Sequence, residues 1–201
     1  MPEKNKHSGK GKMNEEEINK KFEYWWWPNV LNEAQIKEIN SICEKFHHPT
    51  SYDRPAENTV KTANVKNIEW QYVKSILFDA MDLLLNKNRE NYGYSLFPIL
   101  DRDFLNINIY DSLNSAEYDW HLDYIKNHVR DIKLTGIINI SDEPYKGGEF
   151  NLFSGGFTTI PEVREPGTLL LVDHKTLHKV DPVTKGKRKT LSYLFTGPKF
   201  I

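Results

Sequence analysis

The stretch FLNINIY, residues 104–110, decides the fold class because its aliphatic and polar side chains alternate without interruption. Such alternation is typical of a β-strand whose two faces meet different surroundings. The odd-numbered positions 105, 107 and 109 are aliphatic and predict a face packed on a core. The even-numbered positions carry Asn106, Asn108 and Tyr110. A polar face on so apolar a strand predicts a wet or ligand-filled cavity beside it.

This strand is followed by further runs rich in β-branched and aromatic residues. They are Leu134 to Ser141, Gly148 to Phe153, Thr168 to Val172 and Thr190 to Phe195. Short clusters of Gly, Pro, Ser and Asp separate these runs and are turn signals. Many short strands at even intervals favour a sandwich or jelly roll over a βαβ arrangement. The sequence therefore predicts a mainly β fold.

The half of the chain before residue 104 predicts two flanking helices. Asn32 and Gln35 form a capping-box pattern, and apolar residues follow at helical spacing as far as Phe46. A second apolar stripe predicts a helix from about Ile68 to Asn86. The aromatic run Phe22 to Trp27 predicts an edge strand packed on the core.

One domain of residues 21–201 accommodates all of these elements, with helical support over about 32–90 and the β-strand core over about 104–201. Residues 1–20 are too polar to bury and predict a disordered tail. Between the two helices, His47 to Asn67 is polar and longer than most connectors. Two interpretations of this segment stay open, a lid that closes over the site and a disordered surface loop.

The motif His121-Leu122-Asp123 is followed by His178, 55 residues after the aspartate (178 minus 123). Residues two apart on a strand project from the same face, so His121 and Asp123 can approach one ion while Leu122 points into the packing on the other side. Two imidazoles and a carboxylate are the protein ligands of many non-haem Fe(II) sites. His174 and His178 would share a face only on a helix, as in zinc hydrolases, and the strand-like run before them disfavours that alternative.

Arg188 follows His178 ten residues later (188 minus 178). A guanidinium group is planar, always charged, and able to bind a carboxylate through two hydrogen bonds. It is therefore well suited to anchor the far end of a dicarboxylic acid beside the metal.

Three motifs, in this order, resemble the Fe(II)/2-oxoglutarate-dependent dioxygenases, and most closely their prolyl 4-hydroxylase-like branch. They are HLD at 121–123, YKGGEFNLF at 145–153 and PGTLLLVDHKTLHKVDPVTKGKRKTLSY at 166–193. The resemblance covers about half of the chain, from Phe104 onward. It implies a double-stranded β-helix, or jelly roll, in which His121, Asp123 and His178 hold Fe(II). It also implies that Arg188 binds the distal carboxylate of 2-oxoglutarate.

The same resemblance implies further roles. In several relatives an Asn-x-Tyr, or a lone Tyr, on the strand before the His-x-Asp motif contacts 2-oxoglutarate, and Asn108 and Tyr110 occupy that place. Thr190, two residues beyond Arg188 on the same strand face, is a candidate hydroxyl partner. The implied reaction uses O2, with ascorbate as a candidate reductant, and hydroxylates prolyl residues in a peptide or protein. Asp123 fits hydroxylation, because halogenating relatives lack this carboxylate.

Two alternative functions stay open. The segment NINIY before DWHLD also resembles the demethylases of alkylated nucleic acids, but these commonly carry a second arginine where this chain has Leu194. A formal net charge of -1 also disfavours a nucleic-acid partner. The other alternative is a non-catalytic metal-binding jelly roll. A merely structural barrel has no reason to keep the triad and Arg188 in register.

Cysteine usage and hydropathy predict the compartment. The single cysteine, Cys43, cannot form an internal disulfide, so nothing requires an oxidising environment. No apolar run approaches the length of about 18 residues that a transmembrane helix needs, and no signal-peptide core occurs at the start. The sequence therefore predicts a cytoplasmic protein without a membrane partner.

Overall fold

The computed structural model of this protein describes residues 23–49, 61–125 and 129–200. Two α-helices are present in these ranges, α1 (Glu33–Phe46) and α2 (Trp70–Lys87), and α2 continues into a π-helical turn (Asn88–Tyr92). The strands are β1 (Tyr24–Trp27), β2 (His48–Pro49), β3 (Asn64–Glu69), β4 (Phe104–Asp111), β5 (Tyr118–His121), β6 (Arg130–Asn139), β7 (Lys146–Gly147), β8 (Phe150–Phe153), β9 (Phe157–Thr159), β10 (Leu169–Asp173), β11 (Leu177–Val180), β12 (Val183–Lys185) and β13 (Lys187–Pro198).

Two large antiparallel sheets form the body of the fold. The major sheet has seven strands in the order β1-β10-β6-β13-β4-β3-β2, and the minor sheet has four in the order β5-β11-β8-β9. A two-stranded sheet, β12-β7, lies beside them. Strands distant in sequence, such as β4 and β13, are neighbours in the major sheet. The predicted mainly β jelly roll with flanking helices is therefore confirmed.

The major sheet is buried on both faces, and β10 shows why its sequence is a continuous apolar run. Leu169 and Leu171 point into the core shared with the helices. Leu170 and Val172 point into a second core, which lies against residues of the minor sheet such as Phe150. Alternate residues of one strand thus fill two different cores.

Both helices lie against the same core as Leu169. In α1 the predicted capping box is present, since Asn32 and Gln35 exchange hydrogen bonds of 3.0 Å between side chain and backbone. In α2, Val73 and Leu77 are essentially inaccessible to solvent, and burying each contributes about 1.5–3 kcal/mol. Within the described ranges, no helix combines the length and apolar character needed to cross a bilayer.

The boundary between helical support and β-strand core differs from the prediction. The predicted second helix begins at Trp70 rather than Ile68, because Asn64–Glu69 pairs with β4 as strand β3. The predicted loop His47 to Asn67 therefore contains β2 and the first residues of β3, and its middle, 50–60, lies outside the described residues. β1, the predicted edge strand, pairs with β10 at one edge of the major sheet. The predicted tail, 1–20, also lies outside the described residues.

Candidate active site

Three side chains converge where the ends of β5 and β11 meet the major sheet. The ligand atoms of His121, Asp123 and His178 all lie within 4.8 Å of one another. Nε2 of His121 lies 3.8 Å from Oδ1 of Asp123, and Nε2 of His178 lies 3.7 Å from Oδ2. The strand ladder pairs His178 directly with His121, which explains why residues so far apart in sequence meet here. Two imidazoles and one carboxylate at this spacing suit Fe(II).

Backbone carbonyls orient both imidazoles. Nδ1 of His121 donates to the carbonyl of Asp119 at 2.7 Å, and Nδ1 of His178 donates to the carbonyl of Thr176 at 2.9 Å. With the proton on Nδ1, the lone pair of each Nε2 points toward the centre of the triad. Burial, with a smaller contribution from the neighbouring His178, lowers the pKa of His121 to about 4. The neutral imidazole, which is the form that binds metals, therefore dominates at pH 7.

Asp123 lies beyond the end of β5 and is held by a side chain of the major sheet. The hydroxyl of Thr135 on β6 donates a short hydrogen bond to Oδ2 of Asp123. The prediction for the residue between the two ligands is wrong. Leu122 is 50% exposed and not packed, because β5 ends at His121 and the chain leaves the sheet before Asp123.

The triad opens into a cavity of about 440 Å³ between the two large sheets. Arg188 lies in its wall and is only 2% exposed, and its guanidinium lies 5.3 Å from the ring centroid of Tyr110, its ladder partner. Among the described residues, Nε of Arg188 has no hydrogen-bond partner. A buried guanidinium with an unsatisfied donor is costly unless a bound anion pairs with it. A ligand with a carboxylate could pair with Arg188 in this cavity.

The other residues predicted for the cosubstrate site also line this cavity. Burial raises the pKa of Tyr110 to about 12, so its phenol keeps its proton and can donate a hydrogen bond. Nδ2 of Asn108 lies 3.4 Å from Oγ1 of Thr190, its partner in the ladder between β4 and β13. The lysines that flank Arg188 are engaged elsewhere. Lys187 pairs with Asp111, and Lys189 pairs with Asp142.

The cavity also contains residues that were not predicted from the sequence, and Thr135 and Lys61 are two of them. Thr135 lies in the strand run that starts at Leu134, and nothing in that run distinguishes it from an ordinary strand threonine. Lys61 lies in the polar segment that was predicted to be a loop, yet its ammonium donates to Oδ1 of Asn108 at 2.7 Å. Burial lowers the pKa of Lys61 to about 8, and the negative charge of Asp123 partly offsets this by raising it.

Comparisons with known proteins agree with this geometry. A family model described as the 2OG-Fe(II) oxygenase superfamily matches residues 105–196. A PKHD-type hydroxylase of Synechococcus sp. (strain CC9605) is 36% identical over 73 residues, which cover 35% of this chain and 32% of that protein. The matching segment thus spans about a third of the length of this curated relative.

Solved structures with the same fold include prolyl hydroxylases. A prolyl-4-hydroxylase from Pseudomonas putida superposes with a TM-score of 0.64 at 18% identity, over 86% of this chain and 91% of that chain. A prolyl hydroxylase from Trichoplax adhaerens, in complex with a hypoxia inducible factor peptide fragment, gives 0.63 at 13% identity, over 86% and 83%. At these identities the likeness establishes the fold. The stretch 105–196, which contains the triad, Arg188 and most of the cavity wall, is therefore similar to the 2OG-Fe(II) oxygenase superfamily.

Proposed function

We propose that this protein is an Fe(II)- and 2-oxoglutarate-dependent hydroxylase of prolyl residues in a peptide or protein. In this proposal, substrate hydroxylation is coupled to the decarboxylation of 2-oxoglutarate to succinate and CO2. The observation that carries the proposal is the presence of the histidine–carboxylate triad and the buried Arg188 in one cavity. A metal-binding module without catalysis would need the triad alone.

Each residue of the cavity has a role in this proposal. His121, Asp123 and His178 hold Fe(II), which when bound supplies the activation of O2 that no side chain can provide. Arg188 holds the distal carboxylate of 2-oxoglutarate through a charge-assisted pair, with Tyr110 as a hydrogen-bond donor. Burial between the sheets excludes bulk water, which strengthens the attraction between Arg188 and its ligand.

The cavity wall contributes smaller groups. Asn108 and Thr190 contribute polar contacts to the wall of the cosubstrate site. Ascorbate is the candidate reductant in this proposal. Residues 21–201 form one catalytic domain in this proposal.

The choice of substrate rests on relatives rather than on the cavity. The fold neighbours named above are prolyl hydroxylases, and one of them was solved with a peptide. These likenesses support a peptide or protein substrate, although a fold does not by itself determine a substrate. The alternative of nucleic-acid demethylation receives less support, because the apolar side chain of Leu194 lines the cavity at the place of the second arginine. Cys43 is a buried free thiol, which fits the proposed cytoplasmic location.

The test is oxidation of a peptide panel. The protein is incubated with Fe(II), 2-oxoglutarate, ascorbate and proline-containing peptides, and the peptides are analysed by mass spectrometry for the gain of one oxygen. The proposal predicts oxidation of a prolyl residue together with a stoichiometric amount of succinate. Loss of a methyl group from alkylated oligonucleotides, with every peptide unchanged, would reverse the order of the two candidate functions.

Thr135 is predicted to support metal binding through Asp123. Thr135→Val removes the hydroxyl that donates to Oδ2 but keeps the shape of the side chain. We expect Fe(II) affinity to fall about 10- to 100-fold, the usual loss when a hydrogen bond to a metal ligand is removed. Competitive titration with a chelating dye measures the Fe(II) affinity. Thr168→Val is the matched control, because the hydroxyl of Thr168 is buried and has no partner among the described residues. Equal affinity in the two variants would exclude this role.

Gly148 is predicted to shape the site of Arg188. Its φ is +70°, and a Cβ added there would lie 2.9 Å from Cδ of Arg188 and 3.0 Å from Cγ2 of Val183. Gly148→Ala should therefore displace the guanidinium and weaken 2-oxoglutarate binding, and it should destabilise the fold by about 1–3 kcal/mol. Gly155→Ala is the matched control, because it adds a Cβ at a similar positive φ, +66°, where no atom of the described residues beyond its chain neighbours lies within 4 Å. Isothermal titration should find 2-oxoglutarate affinity reduced only in the Gly148 variant, and equal effects would assign the change to backbone strain.

A further inference from the structure

Lys61 lies in the cavity wall, on a backbone segment that joins the two large sheets. Its backbone forms an antiparallel bridge with Tyr118 of β5. The next residue, Thr62, donates its N–H to the carbonyl of Glu117 at 3.0 Å. From Asn64 onward the chain is strand β3 of the major sheet. The position of Lys61 is therefore set by contacts with both sheets.

The ammonium group of Lys61 lies between the triad and the wall formed by β4. Nζ donates to Oδ1 of Asn108 at 2.7 Å and lies 4.6 Å from the ring centroid of Tyr118. The ring of Tyr118 stacks in turn on that of His121. Nδ2 of Asn108 donates to Oγ of Ser192 at 3.1 Å, which directs the amide oxygen toward Lys61. The cation is therefore held at the metal end of the cavity.

The strand register gives the spacing between Lys61 and Arg188. Across the ladder, Tyr110 faces Arg188 and Asn108 faces Thr190. Asn108, the contact of Lys61, is thus two residues along the strand from the partner of Arg188, a distance of about 7 Å. The two cations lie at separate positions along one cavity. A five-carbon dicarboxylate, which carries one carboxylate at each end, can meet one cation with each of them.

We propose that Lys61 is a second cosubstrate-binding residue, whose ammonium contacts the carboxylate of 2-oxoglutarate on the metal side, opposite the carboxylate at Arg188. This inference rests on the proposed function, because it takes 2-oxoglutarate as the ligand. It adds a residue that lies outside the matched region 105–196.

The test is equilibrium binding without turnover. The protein is loaded with Mn(II), which accepts the same oxygen and nitrogen ligands as Fe(II), and 2-oxoglutarate affinity is measured by isothermal titration. Lys61→Met should bind 2-oxoglutarate about 10- to 100-fold more weakly, as expected for the loss of a charge-assisted contact. Lys61→Gln, which keeps a donor for Asn108 but no charge, should show a similar loss and serves if the Met variant does not fold. Lys187→Met is the matched control, because Lys187 pairs with Asp111 outside the cavity.

Two analogues separate the ends of the ligand. 2-Oxobutanoate keeps the 2-oxo acid group and lacks the distal carboxylate, so its affinity should fall in Lys61→Met. 4-Oxobutanoate keeps the distal carboxylate and lacks the carboxylate next to the oxo group, so its affinity should be unchanged in Lys61→Met. Arg188→Met should give the opposite pattern with the two analogues.

The outcomes distinguish this inference from the proposed function. Unchanged 2-oxoglutarate affinity in Lys61→Met and Lys61→Gln, or an equal loss for 4-oxobutanoate, would overturn the role of Lys61 and leave the proposed function intact. Unchanged 2-oxoglutarate affinity with reduced peptide oxidation would place Lys61 in the peptide site and also overturn the inference. If the unmodified protein binds no 2-oxoglutarate, the proposed function fails, and the inference fails with it.

Discussion

His178→Ala should abolish tight Fe(II) binding and, with it, 2-oxoglutarate turnover. The imidazole of His178 is buried, its Nδ1 is held by the carbonyl of Thr176, and its Nε2 faces Asp123. Alanine leaves His121 and Asp123 as the remaining ligands of the triad, because its side chain ends at Cβ and supplies no nitrogen lone pair. The loss of activity should exceed the roughly 10- to 100-fold effect of removing a group that merely supports a ligand. Succinate formation and metal content after dialysis measure the two effects.

His174→Ala is the matched control for this prediction. His174 lies four residues earlier in the turn before β11, and its Nδ1 lies 2.7 Å from Oδ1 of Asp173. It stacks on Phe200 and does not line the cavity. Its loss should leave metal content unchanged. Tight, stoichiometric Fe(II) binding by His178→Ala would show that another group completes the site, and the triad would then have to be reassigned.

The part of the fold predicted correctly from the sequence is the part whose strands separate two different environments. In β4, Leu105 and Ile107 lie in the core on the helix side, while Asn106, Asn108 and Tyr110 line the cavity. The alternation in FLNINIY therefore predicts both the strand and the cavity on its polar face. The same logic applies to β10, where an unbroken apolar run indicates a strand covered on both faces.

β3 was not predicted, although it lies beside β4. Its sequence NVKNIE contains only two aliphatic residues, Val65 and Ile68, because Asn67 and part of its length face the polar cavity. Ile68 is buried in the core, but the ladder with β4 also holds the strand, and ladder hydrogen bonds do not appear in the hydrophobic pattern of a sequence. A polar, Pro-bearing segment before it therefore predicts a loop.

The residues that support the site could not be predicted for a related reason. Thr135 and Lys61 donate hydrogen bonds to Asp123 and Asn108, partners that only the pairing of distant strands brings within reach. His121, Asp123 and Arg188 were identifiable because their residue types and spacing form a motif. Leu122 was predicted wrongly because the motif was assumed to lie wholly in a strand. The strand β5 ends at His121, one residue before Leu122.

Arg188→Ala should weaken 2-oxoglutarate binding by about 10- to 100-fold or more while leaving metal affinity nearly unchanged. A charge-assisted hydrogen bond contributes about 1.5–3 kcal/mol, and the guanidinium can form two with one carboxylate. Arg188 does not belong to the metal-binding triad, so the metal site should persist. Isothermal titration of 2-oxoglutarate and of Mn(II) measures the two affinities separately.

Two further variants make the prediction for Arg188 specific. Arg188→Lys should recover only part of the 2-oxoglutarate affinity, because an ammonium group cannot form the bidentate hydrogen bonds of a guanidinium. Arg188→Met should make the ligand-free protein no less stable than the original, since it removes a buried guanidinium whose Nε lacks a partner among the described residues. Its melting temperature should then no longer rise with 2-oxoglutarate, whereas that of the unmodified protein should. An equal rise in both proteins would mean that Arg188 does not bind the cosubstrate. Neither Lys187 nor Lys189 could replace it without leaving its pairing with Asp111 or Asp142.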